Sequence, residues 1–160
     1  LSAQLNATAP RVAATPEANR ARSDGLRWIP KVNGQLMAPV LSIHTLGDLF
    51  VPFNMQQVYR QRADSNGTGG FLVQRAMRGA AHCDFTNAEM ARAFADLVAW
   101  VRQGSKPAGD DVMTAATVAQ PGYGCTFTDD TLHADDREAT RRMRGLIAQR
   151  GRQCAAAPGN

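Results

Sequence analysis

Asp48 and His82 have side chains that can act as an acid–base pair, and the alternative is an ordinary turn aspartate and a loop histidine that caps backbone groups. Asp48 comes directly after Gly47, which ends a short apolar run at 40–43, so it stands on a turn after a predicted buried strand. Many α/β enzymes keep a catalytic acid at such a position, because the carboxylate is held firmly there and still faces a cleft. An imidazole exchanges its proton near neutral pH, and a neighbouring carboxylate fixes its tautomer and stabilises the imidazolium.

The stretch between these two residues predicts a strand, a helix and a second strand. We expect the first strand at 40–44, the helix at about 54–63, and a second buried strand from 71 to about 76. A strand–helix–strand unit returns the chain to the same edge of a parallel sheet. Asp48 and His82 are therefore expected to meet at one rim of the sheet.

Two more helices are predicted after His82. Thr86 and Glu89 have the spacing of a capping box, and Gly104 followed by Pro107 ends the helix that they begin. Its inward face is predicted from the helical period of Met90, Ala93, Phe94, Leu97, Val98 and Val101. A short helix through about Gln149 is predicted to be capped by residues 135–138, with Ala139, Met143, Leu146 and Ile147 inward.

The segments PVLSIHTLGDLFVP (39–52) and RGAAHCDF (78–85) resemble the last third of an α/β-hydrolase of the serine esterase, lipase and peptidase kind. The resemblance covers about 36–109. It implies the C-terminal part of a mostly parallel sheet flanked by helices, with Asp48 as the triad acid and His82 as the triad base. It also implies a small ester or amide substrate and no cofactor.

None of the five serines lies in the Gly-x-Ser-x-Gly turn that presents a nucleophile in this family. The family's order is nucleophile, acid, histidine, so we expect the nucleophile and the oxyanion hole upstream of Leu1. The chain is then the C-terminal portion of a serine hydrolase, inactive by itself, and its partner is the remainder of that polypeptide. The alternative is a non-catalytic hydrolase remnant or binding module.

Three segments are expected. Residues 1–25 form an irregular or connecting segment, with a short helix near 17–22, and 26–109 form part of the hydrolase core, beginning with a strand at 26–29. Residues 110–160 form a tail with one short helix and a disordered end from Ala155.

Three cysteines leave one unpaired within the chain. Cys125 and Cys154 flank the tail helix, and we hypothesise that they form a disulfide in a protein exported to the periplasm or the exterior. Cys83 follows His82, as in tannases and feruloyl esterases, where such a cysteine pairs with one beside the nucleophile. A free cysteine used as a small apolar residue is the alternative. His44 lies four residues before Asp48, and together with Cys83 these residues suggest a metal site as a further alternative. The sequence does not favour it, because no compact spacing of His, Cys and Asp ligands recurs.

Composition suits one globular domain or part of a larger one, since 44% of the 160 residues are hydrophobic and 20% are charged. No run of about 18 apolar residues occurs, so no membrane span is expected. The net charge of +4 comes largely from C-terminal arginines. We interpret them as a solvated helix face, because nucleic-acid binding would need interleaved aromatics or a known module. They are Arg137, Arg141, Arg142, Arg144, Arg150 and Arg152.

Overall fold

A computed structural model of the protein describes Gln4, Ala7, Thr8 and residues 32–154. The chain divides into two compact units, Leu1–Val32 and Asn33–Asn160. In the first, the Thr8 hydroxyl donates to the Gln4 carbonyl (3.0 Å). The helix predicted near 17–22, the strand predicted at 26–29 and the disordered end predicted from 155 lie outside the described residues. The division into three segments stays a prediction.

The second unit contains a two-stranded parallel sheet. Strand β1 (Val40–Thr45) is followed by helix α1 (Asn54–Ser65), a 3-10 turn (Gly69–Phe71) and strand β2 (Leu72–Met77). The predicted order of strand, helix and strand is confirmed. Strand β2 begins one residue later than predicted because Phe71 belongs to the 3-10 turn. The fold is therefore mixed α/β with parallel pairing.

Three helices follow the sheet: α2 (Asn87–Gln103), the single turn α3 (Ala115–Val118) and α4 (Glu138–Gln149). The predicted capping box of α2 is present, with the Thr86 hydroxyl accepting from the Glu89 N–H and the Glu89 carboxylate accepting from the Thr86 N–H. The helix ends at Gly104, whose φ of 73° is the left-handed conformation of a C-terminal cap.

The two faces of the sheet differ in chemistry because side chains alternate along each strand. On one face Ser42 and Gln74 bond to Gln56 of α1, so that interface is polar. On the other face the core is a cluster of Met77, Phe85 and Phe127, against which Ile43 packs.

The edge of β2 that does not face β1 is covered. The N–H of Asp110 donates to the Gln74 carbonyl (2.7 Å), and its carboxylate accepts from the N–H of Ala76 (2.8 Å). In the part of the chain that the structure describes, β1 pairs with no strand other than β2. No helix among the same residues is long and apolar enough to cross a membrane.

The inward face predicted for α2 was wrong in part. Of the six predicted residues only Ala93 is buried, and it is joined by Glu89 and Trp100. Phe94 and Val101 are 69% and 62% exposed. The buried face of α2 is rotated relative to the predicted face, because the carboxylate of Glu89 points inward and pairs with Arg144 of α4.

The inward face predicted for α4 was also wrong in part, since Met143 and Ile147 are half-buried but Ala139 is exposed. Its buried residues are Thr140 and Arg144, whereas Leu146 is exposed. The predicted cap is also absent: Arg137 occupies the N-cap position without a side-chain hydrogen bond to the helix, while Asp136 accepts from the Asn87 N–H at the start of α2. Polar contacts, which a hydropathy pattern does not show, set the orientation of this helix.

The predicted disulfide between Cys125 and Cys154 is present and closes a loop with a sequence separation of 29. Replacing both cysteines by serine is expected to lower the free energy of unfolding by about 3 kcal/mol, because the open loop gains entropy when unfolded. Urea denaturation of the double variant checks this, with Cys83→Ser as the control because that thiol is exposed and unpaired. An unchanged urea midpoint in the double variant would contradict the prediction.

Candidate active site

The structure brings Asp48 and His82 together at the carboxyl ends of β1 and β2. Asp48 Oδ2 lies 2.6 Å from His82 Nδ1. The carboxylate is 5% exposed and the imidazole 49% exposed, so the acid is enclosed and the ring is open to another group. A buried carboxylate behind an accessible imidazole is the arrangement that an orienting acid and a general base require.

Asp48 is fixed by its own turn. Its Oδ1 accepts from the N–H groups of Phe50 (2.8 Å) and Val51 (2.9 Å), and its own N–H donates to the Thr45 carbonyl (3.3 Å). An aspartate in such a turn bonds the backbone two and three residues on, which holds its side chain in one orientation. Oδ2 is thereby left for His82.

The environment lowers the pKa of Asp48 from 3.8 to about 2. Desolvation acts to raise it, but the hydrogen bonds from Val51, His82 and Phe50 and the charge of His82 together outweigh that effect. The carboxylate is therefore ionised and accepts only. Nδ1 of His82 must carry the proton, which leaves the Nε2 lone pair as the basic site.

This pKa predicts a pH dependence of stability. Because the folded-state pKa of Asp48 (about 2) lies below the ordinary 3.8, its contribution is complete above pH 3.8 and disappears as the pH falls towards 2. Acid titrations of thermal unfolding on the wild type and Asp48→Asn check this. The loss of stability between pH 3.8 and 2 should be smaller in the variant, and parallel curves through that window would contradict the assignment.

The loops that carry the pair are joined beyond the strands. The N–H groups of Leu46 and Gly47 donate to the carbonyls of Met77 and Gly79 (both 2.9 Å). Gly47 allows this approach, since a Cβ there would lie 2.7 Å from the backbone of Ala80. These two hydrogen bonds continue the β1–β2 pairing beyond the strands, and they fix the distance between the loop that carries Asp48 and the loop that carries His82 (the histidine loop).

The histidine loop is tightly bonded within itself. Asp84 accepts the Ala80 N–H on its carboxylate (3.0 Å), and Cys83 has a φ of 53°, which is uncommon for a residue with a side chain. The ring of Phe50 meets the His82 ring edge-on, with centroids 5.8 Å apart. His82 thus has a defined loop beneath it and an exposed aromatic side chain beside it.

A cavity of about 120 Å³ borders the pair, lined on its apolar side by Ile43, Val51 and Phe85. A larger cavity of about 460 Å³ lies beyond Gly47 and Ala80, between the strand ends and Tyr123. Neither Asp48 nor His82 lines the larger cavity, so that cavity is separate from the acid–histidine pair.

The other candidate residues have separate positions. Cys83 is exposed and unpaired. His44 is buried, with Nδ1 2.8 Å from the Thr45 carbonyl and with Nε2 lacking a hydrogen-bond partner among the described residues. Within residues 32–154 no three His, Cys, Asp or Glu side chains are grouped as metal ligands.

The interpretation of the C-terminal arginines as a solvated face was wrong for Arg144, whose side chain is 1% exposed. It bonds to Glu89, Asp130 and the carbonyl of Asp84. Arg137 also reaches the histidine loop, donating to the Cys83 carbonyl. Sequence reasoning missed both contacts, because hydropathy does not distinguish an arginine that bonds to a distant loop from the solvated arginines beside it.

A curated relative of this chain is an o-phthalyl amidase from Xanthobacter agilis, 26% identical over 98 residues. The alignment covers 60% of this chain and 22% of the relative, so the chain spans about a fifth of that protein's length. No protein-family model and no solved structure matches the chain.

Proposed function

We propose that this protein is a hydrolase of amides or esters in which His82 is the general base and Asp48 orients it. The observation that carries the proposal is the 2.6 Å contact between the ionised Asp48 carboxylate and His82 Nδ1. In the neutral imidazole that contact puts the proton on Nδ1, so the Nε2 lone pair of the half-exposed ring is left for a nucleophile or water.

The chemistry follows from this geometry. Nε2 takes the proton of a serine hydroxyl as its oxygen attacks the substrate carbonyl, and the imidazolium that forms is stabilised by Asp48. The imidazolium then donates that proton to the departing amine or alcohol, leaving an acyl-enzyme. Water, deprotonated by the same Nε2, hydrolyses the acyl-enzyme and regenerates the serine.

The nucleophile in this proposal comes from outside residues 32–154. Ser42 donates to Gln56 on the α1 side of the sheet (3.0 Å), Ser65 ends α1, and Ser105 follows α2. None of the three stands in a strand-to-helix turn that would present its hydroxyl.

The resemblance to α/β-hydrolases extends the proposal to fold and substrate. A parallel strand–helix–strand unit with an acid after one strand and a histidine after the next is what the C-terminal part of that fold contains. The similarity to an o-phthalyl amidase favours an amide, with an o-phthalyl amide as the substrate to test first. Esters remain in the proposal because the same acyl transfer serves both bonds.

Two finer proposals concern the cysteines. The disulfide Cys125–Cys154 supports a secreted or periplasmic protein, since such bonds persist in oxidising compartments.

The exposed thiol of Cys83 beside His82 supports a tannase-like or feruloyl-esterase-like arrangement, in which Cys83 forms a second disulfide with a cysteine near the nucleophile. Peptide mapping of the complete polypeptide without reduction tests this, and a free Cys83 thiol there would remove the tannase-like proposal.

Hydrolysis of an o-phthalyl amide and of a nitrophenyl ester tests the function. We propose that residues 1–160 belong to a longer polypeptide that supplies the nucleophile. We expect that complete polypeptide to hydrolyse at least one of the two substrates and residues 1–160 alone to be inactive. A binding module without chemistry predicts no hydrolysis by either. Hydrolysis by residues 1–160 that persists in His82→Ala would contradict the proposal.

A further inference from the structure

Three consecutive carbonyl groups immediately after His82 accept hydrogen bonds from α4 and its N-cap. Arg137 donates to the carbonyl of Cys83, Arg144 to that of Asp84 (2.8 Å), and Thr140 to that of Phe85 (3.5 Å). Asp84 and Phe85 are buried, so their carbonyls need partners, and here the partners come from one helix far along the chain. The exposed Cys83 carbonyl also accepts from the N–H of Phe85 (3.0 Å) within the loop. The backbone after His82 is therefore held from outside its own loop.

Arg144 is the centre of this contact. Its Nη2 also donates to both carboxylate oxygens of Glu89 (3.1 and 2.9 Å), and its Nη1 donates to Asp130 (3.0 Å). The planar guanidinium matches several acceptors at once, which a lysine ammonium does not reproduce. Burial raises the pKa of Glu89, and Arg144 and the backbone donors of Thr86 and Asp129 oppose that rise.

The same network continues to the disulfide. The second carboxylate oxygen of Asp130 accepts from the N–H of Cys154 (2.8 Å), which is bonded to Cys125. The segment that follows α4 is thus tied covalently at Cys154, and through Asp130 it is tied to Arg144. His82 shares the lining of a cavity of about 60 Å³ with Arg137, the N-cap of α4, and with Met143 of the helix.

We propose that Arg144 is a positioning residue for His82, and that α4 with its disulfide sets the orientation of the base towards Asp48. This inference rests on the proposed function, because the orientation of His82 matters to catalysis only if His82 is the base. A loop held at three successive carbonyls has little freedom to move the ring away from the carboxylate. Loosening it by about an ångström would lower the rate by up to about 10²-fold.

The readout is the low-field proton resonance of His82 Nδ1–H in the 15N-labelled 160-residue chain, assigned by its absence from His82→Gln. We expect it in the wild type, where the donor lies 2.6 Å from the carboxylate. Arg144→Lys should broaden it or accelerate its exchange with water at least about tenfold while the circular dichroism stays unchanged. Arg142→Lys, the same change at an exposed position of α4, should leave it as in the wild type.

Asp130→Asn is the second variant. It weakens the hydrogen bonding of Arg144 at a partly exposed carboxylate, so it tests the inference even if Arg144→Lys does not fold. In the complete polypeptide the same variants should lower kcat by roughly 10-fold to 100-fold and leave KM within about a factor of two. A folded Arg144→Lys or Asp130→Asn with the wild-type resonance and exchange rate would overturn the inference. That result leaves the proposed function standing, whereas hydrolysis unaffected by His82→Gln would remove the function.

Discussion

Replacing His82 by alanine is expected to lower kcat for amide or ester hydrolysis by the complete polypeptide by about 10⁶-fold. The side chain is the sole group hydrogen-bonded to Asp48 Oδ2 among the described residues, and its Nε2 is the basic nitrogen. Without it the nucleophile keeps its proton and the leaving group has no acid. The measurement is the single-turnover rate with an o-phthalyl amide or a nitrophenyl ester.

His133→Ala is the control for this variant. His133 lies outside the site, and its backbone N–H, which alanine keeps, donates to the Asp136 carboxylate (2.8 Å). Removal of its side chain should therefore leave the rate within about a factor of two. A His82→Ala enzyme that retains a tenth or more of the wild-type rate would contradict the role of the imidazole. An equal loss of rate in His82→Ala and His133→Ala would indicate that the substitutions impair folding rather than the chemical step.

Asp48→Asn is expected to lower kcat by about 10⁴-fold, with substrate binding little changed. An asparagine side chain of the same shape keeps the turn if its carbonyl oxygen accepts from Phe50 and Val51, and its amide then donates to His82 Nδ1. The imidazole is forced into the tautomer with its proton on Nε2, which cannot accept from a nucleophile. The steady-state pH–rate profile of the variant measures the loss.

The matched control for Asp48→Asn is Asp111→Asn. Asp111 also accepts from the backbone two and three residues on, at Met113 and Thr114, and hydrogen bonds from the Thr114 side chain and N–H and the Met113 N–H lower its pKa. It lies in no contact with His82, so its amide variant should keep the wild-type kcat. An Asp48→Asn enzyme as active as Asp111→Asn would show that orientation by this carboxylate is unimportant.

The parts of the fold that the sequence predicted are those whose signals are local. The strand at 40–44, the helix after Pro52 and the capping box at Thr86 depend on nearby residues, and each is present with small shifts of boundary. The meeting of Asp48 and His82 could also be anticipated, because chain topology alone returns parallel strands to one edge. Whether that meeting serves catalysis stays a proposal.

The inward faces of α2 and α4 could not be predicted from hydropathy. Glu89 and Arg144 are buried because they pair with each other, and hydropathy counts each as a surface residue. Their pairing turns Phe94 and Leu146 towards solvent, although apolar spacing predicts both inward. A buried ion pair between distant elements becomes visible only when the elements are placed together, and this pair supports the loop of the candidate base.

Labelling with a fluorophosphonate tests the central claim most directly, because the probe reacts with a serine only when a base activates it and requires no knowledge of the substrate. We expect the complete polypeptide to be labelled at one serine outside residues 32–154. His82→Ala should abolish this labelling, and Asp48→Asn should slow it strongly. A wild-type protein that takes up no label, or a His82→Ala variant labelled at the wild-type rate, would contradict the proposed role of His82.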